Sequence, residues 1–160
     1  TLIISLKDYL LWYSNINSLK NKSALWQRLE KFSLHHKLKS CGTSLNTILT
    51  KDFFDKLSSY EKRALQFCQL SFAQVPVLLI DEYHDPLEEK KEVELFRILF
   101  SFVKRKTIIF VSNKNSCINE AHYVLNLEKG QVKQYKKIDI NHMDINRDQT
   151  IQKISAKTEK

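Results

Sequence analysis

Val77-Leu78-Leu79-Ile80-Asp81-Glu82 is the stretch that decides the architecture of this chain. An unbroken apolar run of this length is what a short strand covered on both faces requires, because alternation with polar residues is needed only where one face meets water. The run stops abruptly at two acids. Working backward, Pro76 closes the connection to a helix whose start is marked by Ser58 and Glu61. In that Ser-x-x-Glu capping box each side chain satisfies an orphan backbone N–H of the other. The helix is expected over about Ser59 to Ala73, with Leu65, Cys68 and Phe72 as its buried stripe. Working forward, Glu88 to about Lys104 reads as a helix with Val93, Phe96, Phe100 and Val103 on one face, followed by a second buried strand over Thr107 to Ser112. Strand, helix and strand at this spacing imply a parallel α/β sheet. Tyr123 to Leu127 and Val132 to Tyr135, joined by Glu128, Lys129 and Gly130, read as a closing hairpin.

The remainder is helical or polar. Leu6, Tyr9, Leu10, Tyr13 and Ile16 repeat at helical spacing, and Leu25, Leu29 and Phe32 do so again after a polar stretch. Ser33 to Asp55 has no sustained period and reads as a connection with short helical pieces. Beyond Lys136 the residues are polar, as in a flexible or partner-bound tail.

Composition narrows the function classes. A chain of 160 residues with 42% hydrophobic content can build one real core. Its three cysteines, Cys41, Cys68 and Cys117, are too scattered for a disulfide framework and form no Cys-x-x-Cys pair, which fits a reducing compartment. No apolar run approaches the ~20 residues of a spanning helix, so a soluble or peripheral protein is expected. Only two glycines occur, Gly42 and Gly130, and position 1 is Thr rather than Met. A backbone cradle for phosphate needs several glycines before a helix start, so any such loop is expected upstream of Thr1 or not at all. The net charge of +8 would suit a polyanion. Acids nevertheless gather between Asp81 and Glu94 while lysines crowd the C-terminal end, which weakens a nucleic-acid reading.

Ligands of open α/β sheets bind at the carboxyl edge, where Asp81 and Glu82 are delivered. Asp81 suits Mg²⁺ held through water, and Glu82 suits orienting or deprotonating an attacking water, which together make half of a phosphoryl-transfer site. Taken singly, the pair is equally well explained as a strand end entering a loop.

Over almost all of Ser5 to Tyr135 these residues resemble the nucleotide-binding domain of ABC ATPases. Leu57, Ser58, Ser59, Tyr60 and Glu61 stand where the family carries Leu-Ser-Gly-Gly-Gln, at the family's interval before the metal-binding strand. Leu87 and Glu88 correspond to the Leu-Asp that ends the loop after the acid pair. Val111, Ser112, Asn113 and Lys114 occupy the strand end that bears the switch histidine, and Val124 to Val132 resembles the family's closing hairpin. The resemblance implies an α/β fold, the C-terminal part of a P-loop NTPase of ABC type. Its parts would be a helical subdomain with the signature over residues 1–60, the C-terminal half of the ATPase core over 61–135, and a tail over 136–160. It further implies ATP and Mg²⁺ as cofactors, with Asp81 at the metal, Glu82 catalytic, and Ser58, Ser59, Asn113 and Glu88 facing nucleotide. A transmembrane permease subunit and a second ATP-binding subunit are the implied partners, and nucleic acid is not required. The implied location is peripheral, on the cytoplasmic face of a membrane or the mitochondrial matrix side.

Departures qualify what the resemblance implies. Ser59 and Tyr60 replace two glycines whose amides would approach the γ-phosphate, and a tyrosine side chain crowds that approach. Ser58 serves equally as a helix cap and as a phosphate ligand. Asn113 lacks the imidazole of the switch residue but keeps an amide donor, and Glu88 lengthens the usual aspartate. Three readings follow. The first is an ATP-binding subunit of an ABC transporter, with Leu10 to Tyr13 resembling haem-exporter ATPases of cytochrome c maturation, or drug and polysaccharide exporters. The others are a non-catalytic dimerisation or docking subunit, and a soluble ABC-type ATPase acting on ribosomes or DNA. His35 and His36 read as a solvated helix end, His84 as a loop residue, and Trp12 and Trp26 as core or partner groove.

Overall fold

The structure is a computed structural model that describes residues 4–14, 21–81 and 87–138, and the backbone of 151–156. The chain forms two compact units, Thr1–Gln74 and Val75–Lys160. Motif order alone sets a boundary at residue 60, but the helix after Ser58 packs with those before it and the division falls behind that helix.

In the first unit, helix α1 (Leu6–Leu11) starts at Ser5, whose Oγ accepts from Asp8 N at 3.2 Å. Helix α2 (Lys22–Lys31) starts at Asn21, whose side chain accepts from Ser23 N at 2.9 Å. The two short helices α3 (His35–Ser40) and α4 (Lys51–Asp55) fill the aperiodic stretch between Ser33 and Asp55. Gly42, at φ +68°, turns the chain out of α3 in the left-handed conformation that glycine adopts without strain. Helix α5 (Ser59–Ser71) packs against both α1 and α2. Leu6, Leu10, Leu25, Leu29, Leu65, Phe67 and Cys68 are fully buried among these helices. Arg28 fastens α2 to the end of α5, donating to the Ser71 carbonyl at 3.0 Å with its guanidinium 4.6 Å from the Phe72 ring centroid. Burial lowers the Arg28 pKa and pushes the Cys68 thiol well above the usual cysteine range, so the thiol stays protonated.

The second unit is the expected α/β element. Its members are β1 (Val77–Ile80), α6 (Glu89–Phe102), β2 (Thr107–Val111), α7 (Asn115–Asn119), β3 (Tyr123–Glu128), β4 (Gln131–Lys137) and β5 (Ile151–Ala156). They make one sheet in the order β1-β2-β5-β3-β4. β1, β2, β5 and β3 run parallel, and β4 returns antiparallel to β3. Lys129 at φ 51° and Gly130 at φ 76° form the turn between β3 and β4, where both central residues take the left-handed conformation that matches hairpin twist. Helix α6 covers the face that carries Phe110, whose ring lies 4.6 Å from Phe96 and 6.3 Å from Phe100.

Two expectations are corrected. β1 is not covered on both faces: Leu78 and Ile80 are buried, whereas Val77 is 45% exposed and Leu79 74%. Helix α6 packs on the sheet through Phe96 and Phe100 and also meets α7, while Val77 and Leu79 of β1 are left exposed. The polar C-terminal stretch, expected as a tail throughout, supplies β5 between β2 and β3. A strand gains its ladder from backbone groups whatever its hydropathy, and Ile151 and Ile154 lack the period of two that would have marked it.

Candidate nucleotide site

Parallel strands bring their carboxyl ends to one edge of the sheet, and the register fixes how those ends align. β1 and β2 pair as far as Ile80 against Phe110, so one further step sets Asp81 level with Val111. Asp81 is exposed there. After β2, Ser112 is buried and its Oγ accepts from Lys114 N at 3.1 Å. That turn leaves Asn113 exposed between them. Glu88 precedes α6 as its N-cap residue, exposed, with Oε2 3.3 Å from Lys91 Nζ. Three of the residues singled out in the sequence therefore border strand ends or helix starts of one sheet. Glu82 and His84 lie outside the described residues.

The edge is held by side-chain pairs that sequence reasoning did not find. Lys114 Nζ donates to the Leu87 carbonyl at 3.0 Å and pairs with the Glu92 carboxylate. Glu89 Oε1 accepts from Ser116 N at 3.0 Å and from Ser116 Oγ at 2.5 Å. Further along, Arg97 Nη2 donates to Glu120 Oε1 at 2.7 Å. The signal was present as acids at 89 and 92 on one face of α6, but their partners lie more than twenty residues away, at separations of 27 and 22. Short sequence motifs do not report such pairs.

The Ser116 hydrogen bonds hold the Glu89 carboxyl below its ordinary value of 4.5. A depressed folded pKa contributes stability above the unfolded value, and that contribution is lost as pH falls through the folded pKa. Ser116→Ala is thus expected to lower stability at neutral pH, with the difference from wild type closing as the solution is acidified below 4.5. Denaturant melts at several pH values check this, and a pH-independent difference would contradict the assignment.

Ser58 and Ser59 belong to the first unit. Ser58 is the α5 cap: its N donates to Glu61 Oε2 at 2.8 Å, and its Oγ accepts from Glu61 N at 3.3 Å. Ser59 begins the helix and is exposed. Replacing Ser58 by alanine is expected to cost the first unit about 0.5–2 kcal/mol, the usual loss for a serine cap. Urea melts read by the tryptophans, both in this unit, would measure it. His35 lies edge-on to Trp26 with ring centroids 5.5 Å apart. Among the described residues no group of His, Cys, Asp and Glu is assembled to hold a metal by itself. An exposed carboxylate such as that of Asp81 fits a hard cation that keeps most of its waters and takes its other oxygens from phosphate.

What this geometry defines is a parallel α/β unit with acid and amide side chains at its carboxyl edge. No family model matches the chain. Over 77 residues it is 27% identical to an uncharacterized ABC transporter ATP-binding protein of Haemophilus influenzae, an overlap of 48% of this chain and 12% of that protein. The structure of a bacterial Atm1-family ABC exporter with ATP bound matches with a TM-score of 0.64 at 15% identity. That match covers 83% of this chain and 23% of the exporter chain. The chain therefore has the fold of part of an ABC exporter, and it resembles an ABC ATP-binding protein over about half its length.

Proposed function

We propose that this chain is the C-terminal portion of an ABC-type nucleotide-binding domain, from a divergent ATP-binding subunit that couples nucleotide to transport through a membrane partner. The observation that carries the reading is Asp81 at the carboxyl end of β1, with the Asn113 turn at the end of the neighbouring parallel strand. In this reading Asp81 holds the metal through water, Glu82 orients the attacking water, and the Asn113 amide donates to the terminal phosphate. Bound Mg²⁺ would supply charge neutralisation on the phosphates. Ser58, Ser59 and the start of α5 face the nucleotide of a second subunit, and Glu88 lies at the contact between the two. No described helix is long and apolar enough to cross a membrane, and the proposal sets the chain on the cytoplasmic face beside a permease subunit.

The reading frame ahead of Thr1 is the first test. A Gly-x-x-x-x-Gly-Lys-Ser/Thr stretch there, with Mg·ATP binding that weakens in Asp81→Asn, supports the reading. Absence of binding by the whole native protein sinks it. The closed capping box at Ser58 favours a second reading, a dimerisation or docking subunit without hydrolysis. Under that reading Ser58→Ala changes stability and leaves nucleotide affinity unchanged.

A further inference from the structure

Asn113 stands on a short turn whose neighbour, Lys114, reaches across to the Leu87–Glu92 stretch. Its ammonium group donates to the Leu87 carbonyl at 3.0 Å and pairs with Glu92 in the first turns of α6. The Lys114 side chain is 30% exposed and that of Glu92 12%, so the pair is shielded from solvent much more than a surface ion pair. Leu87 immediately precedes Glu88. One side chain thus ties the segment that ends in Glu88 to the turn that carries Asn113. A second tie runs parallel to it, from Glu89 to Ser116.

We propose that Lys114 is a positioning residue that locks the Asn113 turn to the Leu87–Glu88 segment, so that the two loops at the carboxyl edge keep one fixed geometry. The inference rests on the nucleotide reading for its consequence but not for its existence. A lysine suits the task because its long stem spans the gap while three donors serve a carbonyl and a carboxylate together. Both acceptors lie in the 87–92 stretch and the donor on the Asn113 turn, so neither loop moves without breaking a charge-assisted hydrogen bond.

Amide hydrogen exchange on the native protein tests the tie, in Lys114→Met and in the charge-exchanged pair Lys114→Glu with Glu92→Lys. Exchange at residue 92, whose N donates to the Glu88 carbonyl, and at residues 114 and 116, whose N groups donate to Ser112 and Glu89, is expected to quicken by at least about tenfold in Lys114→Met, given the strength of a shielded ion pair, while α2 and α5 keep their wild-type rates. The exchanged pair is expected to recover part of that protection. Unchanged exchange at residues 92, 114 and 116 in Lys114→Met overturns the proposal. So does faster exchange throughout the chain that the exchanged pair does not correct, because the pair would then be serving general stability. Lys114→Arg, which keeps charge and donors, is expected to retain both protection and Mg·ATP affinity. Where wild type binds Mg·ATP, Lys114→Met is expected to weaken that binding. If wild type binds none, the nucleotide reading fails while the exchange data still decide the tie.

Discussion

Phe110→Ala is expected to destabilise the Val75–Lys160 unit by about 3–5 kcal/mol, the largest effect of any single truncation considered for this fold. Phe110 is fully buried, and its ring stands 4.6 Å from Phe96 of α6, so the change removes the aromatic joint between helix and sheet. The neighbouring side chains of Phe96 and Phe100 are themselves in the core and cannot collapse far into the void. Leu79→Ala provides the contrast. Leu79 lies on the same sheet but is 74% exposed, so its truncation is expected to move stability by no more than about 0.5 kcal/mol. Urea titrations followed by circular dichroism measure both, with a lowered midpoint and an unchanged slope as the signature of lost packing. Equal effects at the two positions would mean that α6 does not cover the Phe110 face.

That contrast separates what was legible in the sequence from what was not. The α5 cap was legible because both of its bonds lie within one turn, between Ser58 and Glu61. The hairpin was legible because Lys129-Gly130 must take positive φ in so short a turn. Asp81 could be placed at the sheet edge because it directly follows an apolar strand run, whereas Asn113 was singled out only through the family resemblance. The bare face of β1 could not be read, since four apolar residues report that cover is wanted and say nothing of which helices provide it. β5 was hidden for the opposite reason: its pairing is a backbone affair and its side-chain pattern carries no period. Lys114 was hidden because its partners are distant along the chain, 27 residues away at Leu87 and 22 at Glu92.

Glu82→Gln is the second large effect. In a native protein that carries a phosphate loop, turnover of Mg·ATP is expected to fall by about 10²–10⁴-fold, the range a positioned proton acceptor contributes. Glutamine keeps the length and a hydrogen-bonding oxygen but cannot take a proton, so the chemical step suffers and nucleotide affinity does not. Asp81→Asn is expected to behave the other way, weakening Mg·ATP binding because a neutral amide is a poorer partner for a hard cation. Single-turnover hydrolysis beside equilibrium binding distinguishes the two. Turnover unchanged in Glu82→Gln would remove this residue from the chemistry and leave Asp81 to be explained as a strand terminus.

The outer position of β1 has a practical side. It ends the sheet order, so among the described residues its far edge has no neighbouring strand, and the side chains of Val77 and Leu79 stand in solvent beside it. Val77 to Ile80 offer neither charge nor proline along that edge, the two features that ordinarily keep a free strand from recruiting another copy. Expressed by itself, this length of chain therefore carries a free apolar strand edge of the kind that recruits further strands.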